Sequence, residues 1–337
     1  MSARTILGPE AEQGHLNSPE ADPRPPIVVL AGATGTGKSA AALALSEPFP
    51  VEVINADSRN FYRGMDIGTA KPTQAERAIV PHHLVDILEP DEPMSVSHFQ
   101  DLATDLIAEI QARHRLPVVV GGSVQYVNAL VEGWQVPAVA PNEPRRRELE
   151  REAEVNGVEP ILARLRELDP IAAETTGPNL RRIIRALEVV EATGKPFSVQ
   201  RTRRAVPFRA LECELWIPRD LLYERIDRRV DTLIANGLVE EVRGLLARGF
   251  APTLPAFSSI GYRQLVPAIV EGSDLGEAIE RIKVDTHRLV RHQQTWYRRN
   301  PRLVRNDMTE PDALERIFSL VGDFLDAKSH RSNRSAV

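Results

Sequence analysis

The stretch Val28–Ala40, "VVLAGATGTGKSA", constrains the fold of this chain more than any other. Pro26–Ala31 is an apolar run that reads as a buried strand, glycines follow at Gly32, Gly35 and Gly37, and Gly37–Leu45 reads as a helix free of breakers until Pro48. Gly32-x-x-x-x-Gly37-Lys38-Ser39 fits the phosphate-binding loop (P-loop) at every fixed position, in the strand-to-helix context that gives the spacing its meaning. In such a loop, backbone N–H groups and the helix N-terminus surround an anion, the lysine reaches a terminal phosphate, and the serine hydroxyl can ligate Mg²⁺. The candidate anion-binding residues are therefore Gly32, Ala33, Thr34, Gly35, Thr36, Gly37, Lys38 and Ser39, with Ser39 also the candidate metal ligand. The loop does not name its phosphate compound, because kinases, motor ATPases, GTP switches and transferases all use it.

The rest of the chain continues in the same style. "VEVINAD" gives a second strand ending at Asp57, "HHLVDIL" from His82 a third, and "LPVVVGGS" from Leu116 a fourth, after a helix from about Ser95 to His114. Short apolar strands alternating with helices predict a three-layer α/β fold around a parallel sheet, P-loop NTPase-like in kind. Composition shifts at Pro137, where a Pro-rich joint runs into "RRRELERE". From there through Pro207 the periodicity is helical, with no convincing strand. Leu180, Ile183, Ile184, Leu187 and Val190 mark one apolar face, Arg181, Arg182 and Arg185 lie off it, and Gly194 stops the helix. "LECELWIP" then restores a strand, so 137–207 is expected to be a small all-helical insertion between a first core segment, 26–136, and a second, 208–327. Helices are expected over Arg219–Asn236 and Leu238–Arg248, with a long basic helix ending near Arg299. Residues 1–25 and 328–337 read as a disordered arm and tail.

Bulk properties narrow the class. At 337 residues two domains are a reasonable expectation. No apolar run approaches the roughly 18 residues that span a bilayer, and the first 25 residues lack the apolar core of a secretory signal. A single cysteine, Cys213, excludes internal disulfides and thiolate zinc clusters and agrees with a cytoplasmic location. The net charge of −5 neither favours nor excludes nucleic acid, since a binding face can be basic on an acidic protein. His82 and His83 point to opposite faces of a strand and read as structural, and Trp296 reads as core.

A P-loop ATPase carries a second strand ending in a metal-orienting Asp, but here "LPVVV" ends in Gly121-Gly122-Ser123. The carboxylate that does follow a strand is Asp57, in "NADSRNFYRGMDIGTAKP", a polar, glycine-bearing segment too elaborate for a plain connection.

Six segments in order and spacing carry a resemblance: "GATGTGKS", "DSRNFYRGMDIGTAKP", "HHLVDILEP", "GGSVQYVNAL", "NLRRIIRALEVVEATGKP" and "SSIGYRQ…EAIERIKVDTHRLVRHQQTWYRR". Over roughly residues 26 to 305 the chain resembles the bacterial tRNA isopentenyltransferase family, and "YRGMDIGTAKP" is far more specific to it and its cytokinin-making relatives than the P-loop. The resemblance implies transfer of a dimethylallyl group from dimethylallyl diphosphate to the exocyclic amine of the adenosine 3′ of the anticodon, in tRNAs reading codons that start with U. The loop's ligand is then a departing diphosphate, not ATP. It implies Asp57 as general base and Ser123 near the reacting centre, where the family has threonine. Arg225 matches the family's phosphate-contacting arginine, with Arg229 one turn on. Asp57, Ser58, Arg59 and Asn60, one of Arg145 and Arg146, Arg181, Arg182 and Arg185, and Ser258, Gly261, Tyr262 and Arg263 match stretches that touch tRNA at its anticodon stem-loop. It further implies Mg²⁺ as cofactor; a monomer is the default expectation for the chain.

Three departures stand out. Asn60 replaces a usual glutamine, Val124 replaces a glycine after Ser123, and "THRLVRHQQTW" keeps Arg288 and Arg291 but loses a lysine. Three readings stay open beside the leading one: transfer to free AMP or ADP, a small-molecule kinase, and a nucleotide-gated RNA-binding module with no chemistry.

Overall fold

The run Pro26–Ala31 forms β1, the strand around which the sheet is organised. A computed structural model describes residues 22–135, 137, 139–200 and 202–327; nearly all of the expected arm and all of the expected tail lie outside the described residues. The strands are β1 (Pro26–Ala31), β2 (Val51–Asn55), β3 (His82–His83), β4 (Leu116–Gly121), β5 (Trp134–Gln135), β6 (Thr202–Arg203), β7 (Arg209–Trp216) and β8 (Val304–Asp307). Six of them form one sheet in the order β3-β2-β4-β1-β7-β8, every pairing parallel. Alternation along β1 shows why the fold has three layers. Ile27, Val29 and Ala31 enter a core shared with Phe99, Ile107 and Tyr126, whereas Val28 and Leu30 enter the opposite one with Ala41, Leu45, Ile317 and Val321.

Around the sheet lie α1 (Lys38–Leu45), α2 (Gln74–Ile79), α3 (Val96–Ala112) and α4 (Val124–Glu132). The insertion contributes α5 (Glu143–Asn156), α6 (Glu159–Leu168), α7 (Pro170–Thr176), α8 (Leu180–Thr193) and α9 (Phe197–Gln200). The second core segment adds α10 (Arg219–Ala235), α11 (Leu238–Ala247), α12 (Tyr262–Val270), α13 (Leu275–Tyr297) and α14 (Ala313–Asp326). The insertion has its own core, in which Leu149, Ile161, Leu165, Ile183 and Leu187 are fully buried. At about 1.5–3 kcal/mol for each such side chain, that cluster holds the module together. No helix among the described residues is long and apolar enough to cross a membrane.

Three expectations need correction. The segment to Pro207 does contain a strand: β6 pairs antiparallel with β5, so the insertion joins the core through a two-stranded ribbon. Two-residue strands carry no periodicity to read. The third expected strand shrinks to His82–His83, because Leu84 and Asp86 adopt positive φ and turn the chain away. At the far edge, β8 and α14 follow the long helix. "VRND" is too short and polar to signal a strand; it is drawn into place as Arg305 pairs with the buried Glu214 at 2.8 Å and Arg302 with Glu212 at 2.7 Å.

The histidines have protein partners. His83 Nε2 lies 2.7 Å from Glu52 Oε2, and His82 Nδ1 lies 2.7 Å from the Val80 carbonyl. Trp296 is half-buried at the rim of the core, its ring edge-on to Tyr297.

Candidate active site

Because the large sheet is parallel, the carboxyl ends of β1, β2, β4 and β7 meet at one edge, where open α/β sheets bind ligands. β1 delivers the glycine loop, β2 delivers Asp57, β4 delivers Ser123, and β7 leads into α10, which lies over the loop. A Cβ on Gly35 would meet the side chains of Leu222 and Ile226 of α10. Gly37 takes φ 93°, the left-handed region open to glycine, and hands the chain to α1 with its N-terminal turn facing the loop. Gly121 is needed for closeness: a Cβ there would sit 2.3 Å from the Ala56 carbonyl oxygen, so only glycine lets β4 end against the Asp57 segment.

Asp57 is held by its neighbours. Asn55 Oδ1 accepts the Asp57 N–H at 3.0 Å, while Asn55 Nδ2 donates to the carbonyls of Asp57 at 3.1 Å and Leu84 at 2.9 Å. Asp57 Oδ1 accepts the Arg59 N–H at 3.0 Å, and Oδ2 makes no hydrogen bond among the described residues. The next residue ties the loop to β4, since the Ser58 N–H donates to Ser123 Oγ at 3.1 Å.

Two cations lie within electrostatic reach of the carboxylate. Lys38 Nζ donates to the carbonyls of Gly32 at 3.0 Å and Ala33 at 2.9 Å. Burial pushes its ammonium down to about 8, with Asp57 opposing the fall and Arg229 adding to it. The other cation is Arg229, whose guanidinium burial also holds below its usual range while Asp57 pulls the other way. Arg225, one turn earlier on α10, is exposed. Arg229 is thus the arginine that the structure places within electrostatic reach of Asp57 and Lys38.

The family-like segment after Asp57 is a rigid shelf. Lys71, almost wholly buried, donates to the Tyr62 carbonyl at 2.7 Å and to Asp66 and Asp86 at 2.5 Å each. The Glu241 carboxylate accepts three successive N–H groups, those of Asp66, Ile67 and Gly68, and the hydroxyl of Tyr262. Those bonds hold "MDIGTAK" together as a block: its polar groups satisfy one another and α11.

The expected tRNA-contacting residues separate into two groups. Arg59 donates to the Pro255 carbonyl and to Ser258 Oγ, both at 3.2 Å, so the Asp57 loop and the 258–263 segment form one surface. Ser258 and Arg263 are exposed there, Arg263 paired with Asp285. On α8, Arg181 and Arg182 are exposed and make no ion pair among the described residues. The others are buried or spent on protein partners. Gly261 and Tyr262 are buried, and Asn60 is buried with Nδ2 3.4 Å from Asn55 Oδ1. Arg185 donates to the carbonyls of Val139 and Pro137, fastening the entry joint. Arg146 makes a fork with the buried Glu188, and Arg145 pairs with Glu191 and Glu148. Val124 begins α4 and packs partly buried beside the Phe99 core.

Sequence reasoning missed Gln293. This buried residue of α13 accepts the Thr34 N–H at Oε1, 3.0 Å, and donates from Nε2 to the Gly122 carbonyl at 2.9 Å. Its one signal was position: a glutamine on the apolar stripe of an amphipathic helix needs a buried polar partner.

A parallel sheet with a glycine loop on its central strand, a carboxylate on the strand beyond the neighbour and a hydroxyl between them defines a protein of the P-loop α/β class. Comparison with known proteins narrows the class. Residues 60–300 match the family described as IPP transferase. The chain is 49% identical over 303 residues to a tRNA dimethylallyltransferase of Roseiflexus castenholzii, covering 90% of this chain and 99% of that one. It is 48% identical over 295 residues to one of Thermomicrobium roseum, covering 87% and 90%. Among solved structures it is similar to the tRNA isopentenylpyrophosphate transferase of Bacillus halodurans, 37% identical with TM-score 0.68, covering 91% of this chain and 99% of that one. A eukaryotic dimethylallyltransferase acting on tRNA superposes with TM-score 0.73 at 26% identity, covering 90% and 80%. The chain belongs to the IPP transferase family.

Proposed function

We propose that this chain transfers a dimethylallyl group from dimethylallyl diphosphate to the exocyclic N6 amine of the adenosine 3′-adjacent to the anticodon, in tRNAs reading codons that start with U, and releases diphosphate. The observation that supports the reading is that Asp57, Lys38 and Arg229 lie within electrostatic reach of one another at the carboxyl end of the sheet. In this reading the glycine loop and the two cations cradle the phosphates, and the carboxylate of Asp57 serves as the base.

In this reading the loop amides of 34–39, Lys38 and Arg229 hold the diphosphate and stabilise the negative charge that grows as the C–O bond breaks. Arg225 is left to meet the diphosphate from the exposed turn of α10. Asp57 Oδ2 accepts a proton from the adenine amine as the new C–N bond forms, because an aromatic amine is a poor nucleophile. Ser123 fixes the Asp57 loop and offers its hydroxyl beside the reacting centre. The Ser39 hydroxyl, exposed at the first turn of α1, is the residue that would hold Mg²⁺. In P-loops the Ser/Thr hydroxyl joins substrate phosphate oxygens and waters around Mg²⁺. Bound there, it would neutralise the leaving diphosphate.

The target base must leave the loop stack to reach Asp57. Ser58, Arg59, Ser258 and Arg263 line the approach, and Arg181 and Arg182 offer phosphate contacts from the insertion. A free nucleotide would need neither surface, which favours tRNA over AMP or ADP. The whole proposed site lies on one chain, in keeping with a monomer.

The test is an incubation with labelled dimethylallyl diphosphate, unmodified tRNA carrying A-A-A after its anticodon's last base, and AMP, with ATP in a separate reaction. Label entering tRNA alone supports the proposal. Label entering AMP, or phosphate lost from ATP, contradicts it.

A further inference from the structure

Two side chains of α13, one turn apart, strap the glycine loop to the end of β4. Gln293 bridges the Thr34 N–H and the Gly122 carbonyl. Tyr297 repeats the pattern: its buried hydroxyl donates to the same carbonyl at 3.4 Å and faces the Gly32 N–H. Gly122 precedes Ser123, whose hydroxyl holds the Ser58 N–H beside Asp57. Hydrogen bonds and the Gly122–Ser123 and Asp57–Ser58 peptide links thus connect the glycine loop through Gln293 to the residue beside Asp57.

Space around the strap is already used. A Cβ on Gly122 would come within 2.9 Å of Gln293 Nε2. The carboxamide is buried, and only an amide of this length both accepts from one loop and donates to the other. The next residue, Gln294, bonds the Ile217 carbonyl and Arg219, fixing the rotation of α13 against β7 and the start of α10.

Resting on the prenyl-transfer reading above, we propose that Gln293 is a positioning residue that sets donor against acceptor, so that the allyl carbon is captured by the adenine amine rather than by water. With the strap loosened, the C–O bond of the donor still breaks and diphosphate still leaves. The carbon then bonds to a water oxygen, which gives up a proton to solvent, and the products are dimethylallyl alcohol and diphosphate. A misplacement near 1 Å is enough to cost on the order of 10²-fold in transfer.

The test compares wild type, Gln293→Met and Tyr297→Phe with labelled donor and unmodified tRNA, measuring prenylated tRNA, labelled alcohol and thermal midpoint together. Gln293→Met keeps length and volume while removing both bonds; Tyr297→Phe removes one hydroxyl and serves if Gln293→Met fails to fold. The expected result is a fall in prenylated tRNA of about ten- to a hundredfold for Gln293→Met. A several-fold rise in the ratio of alcohol to prenylated tRNA accompanies it, and Tyr297→Phe shifts that ratio the same way by less. A ratio equal to wild type in both variants, with transfer merely tracking the folded fraction, overturns the assignment. Wild type transferring no label to tRNA would instead overturn the prenyl-transfer reading.

Discussion

Ser58 and Ser123 are joined across two strands: the backbone N–H of one donates to the hydroxyl of the other at 3.1 Å, locking the loop that carries Asp57 against the end of β4. A hydroxyl here does work that threonine would also do and alanine cannot. Ser123→Ala leaves a part-buried N–H unpaired, a loss of about 1–3 kcal/mol, or roughly 5- to 150-fold in rate if it falls on the transition state. Ser123→Thr should transfer within a few-fold of wild type. Steady-state rates of prenyl transfer for the two variants check this, and equal rates for Ala and Thr would remove Ser123 from the site.

The two groups of arginines on the insertion predict different phenotypes. Arg181→Gln with Arg182→Gln should weaken tRNA binding and lower the slope of log affinity against log salt by about 1.5, because each free guanidinium displaces roughly one counterion. Arg185→Gln should leave the slope alone and lower the melting temperature, since Arg185 is spent on the carbonyls of Pro137 and Val139. Fluorescence titrations of tRNA at several salt concentrations, alongside melting curves, separate the two.

Lys38 gives a pH dependence. Burial lowers its pKa to about 8, so the free protein carries this charge fully only below that pH. The diphosphate binds the charged form. kcat/KM for the donor should therefore be level at lower pH and fall as pH rises through about 8, approaching tenfold per unit. Lys38→Met should lower the plateau and abolish this limb. A wild-type profile level to pH 10 would contradict the role given to Lys38.

How much of this was legible in the sequence follows from what each element depends on. β1, the glycine loop and α1 were readable because strand burial, φ-permissive glycines and the helix start are local properties. The apolar stripe of α8 was equally readable, and Ile183, Ile184 and Leu187 are buried as its spacing implies. Which of Arg225 and Arg229 faces the site was not readable, since it turns on how α10 is rotated over Gly35. Tyr262 looked like a surface residue within a recognised stretch, yet its hydroxyl is bonded to Glu241, a partner 21 residues away. Gln293 and the β5–β6 ribbon escaped for the same reason: their partners are supplied by distant chain. Local physics wrote the cradle, and tertiary packing wrote the straps around it.

The central claim, that Asp57 is the base facing a diphosphate cradle, is tested most directly by single-turnover prenyl transfer with Asp57→Ala. The account predicts a rate lower by about 10²- to 10⁴-fold while the tRNA dissociation constant stays within about threefold. Transfer within about tenfold of wild type, at an unchanged dissociation constant, would contradict it.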